Sequence, residues 1–380
     1  MTSKHALARW SALLAATAIV LAACTTTTPG GGSAAPAGSA SAGGASQELI
    51  DAAKAEGGLT TIALPHSWCN YGEMLSGFTA KYGIPINELN PDGSSAEEID
   101  AIKANQNNPG PQAPDVIDVG LSFGPQAVTD GLVQPYKVAT WDTIPASAKD
   151  ADGNWYGDYY GVLAFETNTA VVKNVPKDWA DLLKPEYKGQ VALSGDPTQS
   201  NQAISAVWAA ALANGGSLDN VQPGLDFFKQ LNDAGNFVPV IAGTATVASG
   251  ETPIRITWTY NGLADKDSLA GNPAVEVAVP TSGRFGGMYV QAISKFAPHP
   301  NAAKLSMEYL YSDEGQLIWL KGYCNPIRYD DLVARSAVPA DLAAKLPDST
   351  GAVLPTLDQI TAATNAITAG WPTTVGVTVQ

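Results

Sequence analysis

Two short segments in the middle of the chain carry side chains suited to holding a small molecule. The first is Ser194-Gly-Asp196-Pro-Thr198-Gln199-Ser200. Its proline would stand at an early helical position, where the missing N–H costs nothing. Free backbone N–H groups and the positive end of a helix dipole attract anions at such a start. Thr198 and Ser200 add hydroxyls, beside the carboxyl of Asp196 and the amide of Gln199. The same residues would also serve as a plain helix cap. The second segment is Thr257-Trp258-Thr-Tyr260-Asn261, where aromatic walls and one amide suit a small polar or cationic solute. Singly, each of these aromatics is more readily explained as core packing, and Arg255, early in the same strand, reads as structural. His66, Ser67 and Trp68 after the first predicted strand, Ser122 after the third, and the pair Tyr159 and Tyr160 complete the candidate set. Together these types can capture a solute without making or breaking a bond. They call for no cofactor and no metal.

Catalytic alternatives find little support. An exported hydrolase is the competing class, yet apart from His5 the only histidines are His66 and His299. No G-x-S-x-G elbow, H-E-x-x-H helix or G-x-x-x-x-G-K-[ST] loop is present. Asp150-Ala-Asp152-Gly153-Asn154 has calcium-loop residues, but its glycine comes too early and Gly161 stands where the closing Glu belongs. It reads as a hairpin turn.

The positioning elements begin with export. Lys4 and Arg9 precede an uncharged apolar run, Trp10 to Ala23, that stops at Leu21-Ala22-Ala23-Cys24. Residues 1–23 read as a signal peptide, too short to cross a bilayer core that needs about 20 apolar residues. The tetrad resembles the bacterial lipobox, which implies lipidation of Cys24 and attachment to the outer face of the cell membrane. Residues 24–46, rich in Thr, Gly, Ser, Ala and Pro, read as a disordered tether. The whole chain carries a net charge of −15, and an acidic globule is a poor partner for nucleic acid. Of 3 cysteines, Cys69 and Cys324 remain beyond Cys24, which in an exported protein suggests one disulfide; two buried free thiols are the alternative.

From residue 47 helices and strands alternate. Ser46 can cap a helix ending at Gly57-Gly58, Leu59 to Leu64 reads as a strand, and Met74, Leu75, Phe78 and Tyr82 share one helix face stopped by Gly83. Ser94 or Ser95 with Glu97 and Glu98 makes a capping box, and Asp115 to Val119 is the next strand. Such alternation implies mostly parallel sheets covered by helices, with ligands at the carboxyl ends of the strands, after Leu64 and after Val119.

The segment Trp179-x-x-Leu-Leu-x-Pro185-x-Tyr187-Lys-Gly189, followed by a strand and the small-polar helix start, resembles bacterial extracellular solute-binding proteins of ABC importers. Tyr156-Gly-Asp-Tyr159-Tyr160-Gly161, Ala297-Pro-His299-Pro-Asn301 and Tyr311-Ser-Asp-Glu314-Gly-Gln316 extend the likeness over nearly all of the chain. The closest likeness is to the branch serving polyamines, aminobutyrate, 2-aminoethylphosphonate, ferric iron and thiamine. The resemblance implies a type II periplasmic-binding fold: two α/β lobes joined by crossovers near Val162 to Asn168 and Met288 to Ser294. Lobe one would comprise 47–164 with 290–380, and lobe two 165–289. It further implies a monomer that works with a membrane permease and its ATPase subunits. A ferric site in that branch resembles two adjacent tyrosines after a lobe-two strand, whereas this chain reads Trp258-Thr-Tyr260, so iron is not expected. The solute expected is a zwitterion or anion, such as an amino acid derivative or aminophosphonate. A polyamine, which would need carboxylates such as Asp158, Glu166 and Asp196 in the cleft, is the alternative.

Overall fold

Local signals in the sequence become the first elements of the structure, a computed structural model that describes residues 44–380. The signal peptide, Cys24 and nearly all of the tether lie outside the described residues. Ser46 accepts a hydrogen bond from Leu49 N at 3.2 Å, and the helix Gln47–Glu56 ends at Gly57 with φ 80°, a left-handed value glycine adopts without strain. The helix Tyr71–Tyr82 buries Met74, Leu75, Phe78 and Tyr82 on one face and stops at Gly83. Ser94 and Glu97 form the capping box of the helix Ser95–Ala104. The turn at Asp150 to Asn154 is closed by an antiparallel bridge between Lys149 and Tyr156.

The described residues hold ten strands, in chain order β1 (Leu59–Ile62), β2 (Ile86–Leu89), β3 (Val116–Gly120), β4 (Val133–Gln134), β5 (Tyr156–Asn168), β6 (Val191–Leu193), β7 (Ile254–Trp258), β8 (Val275–Ala278), β9 (Gly286–Ser294) and β10 (Asn325–Pro326). Among these strands only β1 with β2 and β6 with β7 pair in parallel. The rest of the ladder is antiparallel, in the order β3-β9-β5-β7-β6 with β4, β8 and β10 at its sides, so the expectation of mostly parallel sheets is corrected. The reason is the two long strands. β5 pairs with β10 and β9 near Tyr159 to Val162 and with β7 and β8 from Leu163 onward. β9 pairs with β3 from Tyr289 to Ile293. β5 therefore belongs to two groups of strands, one with β3, β4, β9 and β10 and one with β6, β7 and β8, whereas β9 pairs only within the first; Val162 to Asn168 lies in β5 and Met288 to Ser294 in β9.

The tail departs from the expected grouping of 290–380. The helix Leu357–Thr374 packs on the helices Asn201–Ala213 and Gln222–Asp233. Trp371 meets Phe228 at 5.5 Å and Phe237 at 6.0 Å between ring centroids, and Ile241 N donates to Gln380 O. The end of the chain is thus built onto the half formed by β6 and β7, because its buried aromatic face finds its partners there.

Cys69 and Cys324 form a disulfide, with Cα atoms 5.6 Å apart. It ties the loop after β1 to the chain just beyond the helix Asp313–Lys321. Among the described residues no helix is long and apolar enough to cross a membrane.

Candidate functional site

Between the two strand groups lies a cavity of about 550 Å³. One wall comes from the loop after β1 (Ser67, Trp68), the start of the Ser95–Ala104 helix (Ser95, Glu98), and Asp118 in β3. The facing wall comes from the loop after β6 and the first turn of the Asn201–Ala213 helix (Asp196, Gln199, Ser200, Asn201, Gln202), with Arg255 of β7 and Asn261 beyond it. Strand ends and helix starts converge here because β6 and β7 run parallel and release their chains at the same edge.

Six of the thirteen candidates drawn from the sequence line this cavity: Ser67, Trp68, Asp196, Gln199, Ser200 and Asn261. The other seven do not. His66 is exposed and pairs with Glu88 at 2.7 Å. Ser122 starts the helix Phe123–Thr129 with its hydroxyl buried away from the cavity. The Thr198 hydroxyl and backbone N–H both donate to Asp196 Oδ1 at 2.8 Å, an Asx turn that shapes the loop. Tyr159 is fully buried; its hydroxyl donates to Asp118 Oδ2 at 2.7 Å and accepts from Trp68 Nε1 at 2.5 Å. Tyr160 points to the opposite side of β5, as strand alternation requires, and lies near Tyr329 and Asp330.

Trp258 and Tyr260, expected as an aromatic wall, are core residues exposed by 0% and 1%. The Trp258 ring lies against the Cα of Gly287 and that of Tyr260 against Gly161, where any β-carbon would collide. Tyr260 also meets the edge of Trp68 at 5.4 Å. The aromatic surface facing the cavity is instead Trp68 with Tyr289, 5.3 Å apart and edge to face.

Arg255 is the residue that sequence reasoning set aside. Its Nε donates to Ser194 Oγ at 2.8 Å, and Nη1 donates to Asp265 at 2.8 Å and Glu166 at 3.2 Å. Nη2 makes no hydrogen bond among the described residues, although the side chain is only 9% exposed and lines the cavity. Burial, opposed by Arg255, pushes Glu166 up to about 7. One guanidinium is thus held rigidly by two acids, with one N–H₂ group left for a ligand. A signal was available: Arg255 and Thr257 alternate with Ile254, Ile256 and Trp258, giving an otherwise apolar buried strand one polar face. Thr257 accepts from Gln202 Nε2 at 2.7 Å, which fixes the first turn of the Asn201–Ala213 helix beside Arg255. The backbone N–H groups of Asn201 and Gln202 have no acceptor among the described residues, as expected for a helix start.

The opposite wall is acidic. Glu98 is 1% exposed and accepts from Asp118 N at 2.9 Å. Asp118 Oδ2 accepts from the hydroxyls of Tyr71 and Tyr159. Burial raises both carboxyls, that of Asp118 to about 7. The cavity therefore presents a cationic group and helix start on one side and buried acids with aromatic edges on the other.

Residues 112–348 match the family model described as bacterial extracellular solute-binding protein. An uncharacterised protein of Haemophilus influenzae is 32% identical over 266 residues, covering 64% of this chain and 70% of its own. A putative 2-aminoethylphosphonate-binding periplasmic protein of Salmonella typhimurium is 25% identical over 258 residues, covering 66% of this chain and 71% of its own. Among solved structures, the periplasmic binding protein AfuA of Actinobacillus pleuropneumoniae, with fructose-6-phosphate bound, superposes with a TM-score of 0.66 at 23% identity. That match covers 84% of this chain and 98% of AfuA, a likeness of fold. With two strand groups that share β5 around one cavity, the chain belongs to the bacterial extracellular solute-binding proteins, the non-enzymatic, two-lobed type II solute-binding components of ABC transporters.

Proposed function

We propose that this chain captures a small solute bearing an anionic group, zwitterionic or purely anionic, and delivers it to the membrane permease of its importer. The carrying observation is Arg255 Nη2, without a hydrogen bond among the described residues, on a side chain that lines the cavity beside the Asn201 helix start. A phosphonate or carboxylate would complete the fork and accept from the free N–H groups. The name of the Salmonella typhimurium relative makes 2-aminoethylphosphonate the first compound to try. In this reading the lobes are 47–164 with 290 to about 348, and 165–289 with the tail, hinged at β5 and β9. Solute held by both walls favours the closed state through its differential affinity.

A polyamine remains the second reading because Glu98 and Asp118 line the cavity. Of the acids expected to serve such a ligand, Asp158 is bonded to Gln291 and Glu166 to Arg255, which leaves only Asp196 at the wall. The test is a thermal-shift screen of phosphonates, amino acids, polyamines and sugar phosphates with the exported protein. Anion-bearing compounds should raise the melting temperature without turnover. Stabilisation by polyamines alone would reject the anion reading, and product formed from a stabilising compound would argue for an enzyme.

The lipid anchor belongs to the same proposal. Cys24→Ser should move the protein from the membrane fraction to the soluble fraction, since one acylated residue would hold it. Unchanged membrane retention would reject the anchor.

A further inference from the structure

The acidic wall has a feature that anion capture leaves unused. Glu98 Oε2 is occupied by Asp118 N, but Oε1 makes no hydrogen bond among the described residues, and the side chain lines the cavity. No lysine, arginine or histidine forms an ion pair with Glu98 or Asp118 among the described residues, in contrast to Glu166 and Asp265, which share Arg255. A buried carboxylate without a partner is unfavourable and is held in its neutral form, and a cation brought to this wall would stabilise the ionised one. Trp68 and Tyr289, their rings edge to face at 5.3 Å, border the same space and favour a positive charge over a ring face.

We propose that Glu98, bordered by Trp68 and Tyr289, receives the ammonium group of the solute, so that the two poles of a zwitterion are held by opposite walls of the cleft. This rests on the anion reading of the Arg255 wall. Its consequence is selection by closure. A solute with only the anionic pole leaves Glu98 unpaired when the walls meet, and one with only the cationic pole leaves Arg255 Nη2 unpaired. Sites built around buried polar groups reject ligands that lack the matching group far more strongly than apolar pockets reject a missing methylene. The class is therefore small zwitterions with a primary amine separated from a phosphonate or carboxylate.

The test compares 2-aminoethylphosphonate with ethylphosphonate, and 4-aminobutyrate with butyrate, by calorimetry on wild type and Glu98→Gln. Glutamine keeps an oxygen to accept from Asp118 N and turns a neutral amide toward the cavity. Wild type should prefer the amine of at least one pair by about 30-fold or more, corresponding to a charged hydrogen bond. In E98Q that ratio should collapse to about 3-fold or less, with ethylphosphonate bound no more weakly than before. Equal wild-type affinity for amine and deaminated partner would overturn the ammonium site while leaving anion capture intact. Binding of neither member of either pair would overturn both readings. A purely structural Glu98 would lower stability without changing the ratio. Should E98Q melt too low to titrate, Glu98→Asp withdraws the charge from the cavity, and the ratio should fall at least about tenfold; an unchanged ratio would again overturn the proposal.

Discussion

Arg255→Lys is expected to weaken binding of an anionic solute by about 10–100-fold, corresponding to roughly 1.5–3 kcal/mol for a hydrogen bond to a charged group, while the fold survives. A lysine ammonium can still neutralise Asp265 and Glu166, whose side chains are 4% and 0% exposed. It has no fork, so satisfying those two acids leaves nothing directed at the cavity. Arg255→Met should behave differently. Two buried acids would lose their counter-ion, a change that typically costs about 3–5 kcal/mol. The sign of its pH dependence follows from Glu166, whose carboxyl burial already holds up at about 7. A raised folded-state value means that the folded protein binds the proton more tightly, so its destabilising ionisation is absent at pH 5 and present at pH 8. The methionine variant should therefore lose more melting temperature at pH 8 than at pH 5. Calorimetry of R255K against the best solute, with melts of both variants, checks the pair. Wild-type affinity in R255K would remove Arg255 from the site.

Much of the frame could be read locally. Ser46, Gly57, Gly83 and the Ser94–Glu97 box act through bonds within four residues, so the sequence contains both partners. The loop after β1 was also legible as a wall, because a strand end followed by polar and aromatic residues has few other uses in this fold. Side-chain direction was not. Trp258 and Tyr260 stand at the expected end of β7, yet Gly287 and Gly161, remote in sequence, open the space that draws both rings into the core. Thr198 was read as a ligand hydroxyl, but the Asx turn with Asp196 uses it locally. Glu98 was read as half of a helix cap; Glu97 takes that role, and the neighbouring acid turns inward to Asp118. The tail was misplaced for a related reason. Trp371 marks a face to be buried, and only the fold supplies Phe228 and Phe237 as its partners.

The largest expected effect on closure comes from a residue with no side chain. Gly120 ends β3, and a β-carbon built there would lie 2.1 Å from Asn201 Cγ and 2.3 Å from Asn201 Cβ. Rotating the asparagine side chain could remove the first clash but not the second, because Cβ does not move with χ1. The two backbones must therefore separate by more than an ångström to restore ordinary contact. β3 is held by β9 along its length, with Gly120 opposite Tyr289, so the Asn201 helix must withdraw. That helix belongs to the other wall. In the closing motion proposed above, Gly120→Ala is thus a wedge against the wall-to-wall contact described here, and a forced methyl group costs about 1–3 kcal/mol, or roughly 5–150-fold in affinity. The ligand-free melting temperature should stay near that of wild type, since an opened cleft accommodates the methyl group. Small-angle scattering should find the liganded variant as extended as the free protein, whereas liganded wild type contracts. If G120A binds and contracts like wild type, the contact between Gly120 and Asn201 does not control closure. The same logic explains why a small residue is required there: solute affinity and lobe contact draw on one equilibrium, and whatever props the walls apart takes its free energy directly from binding.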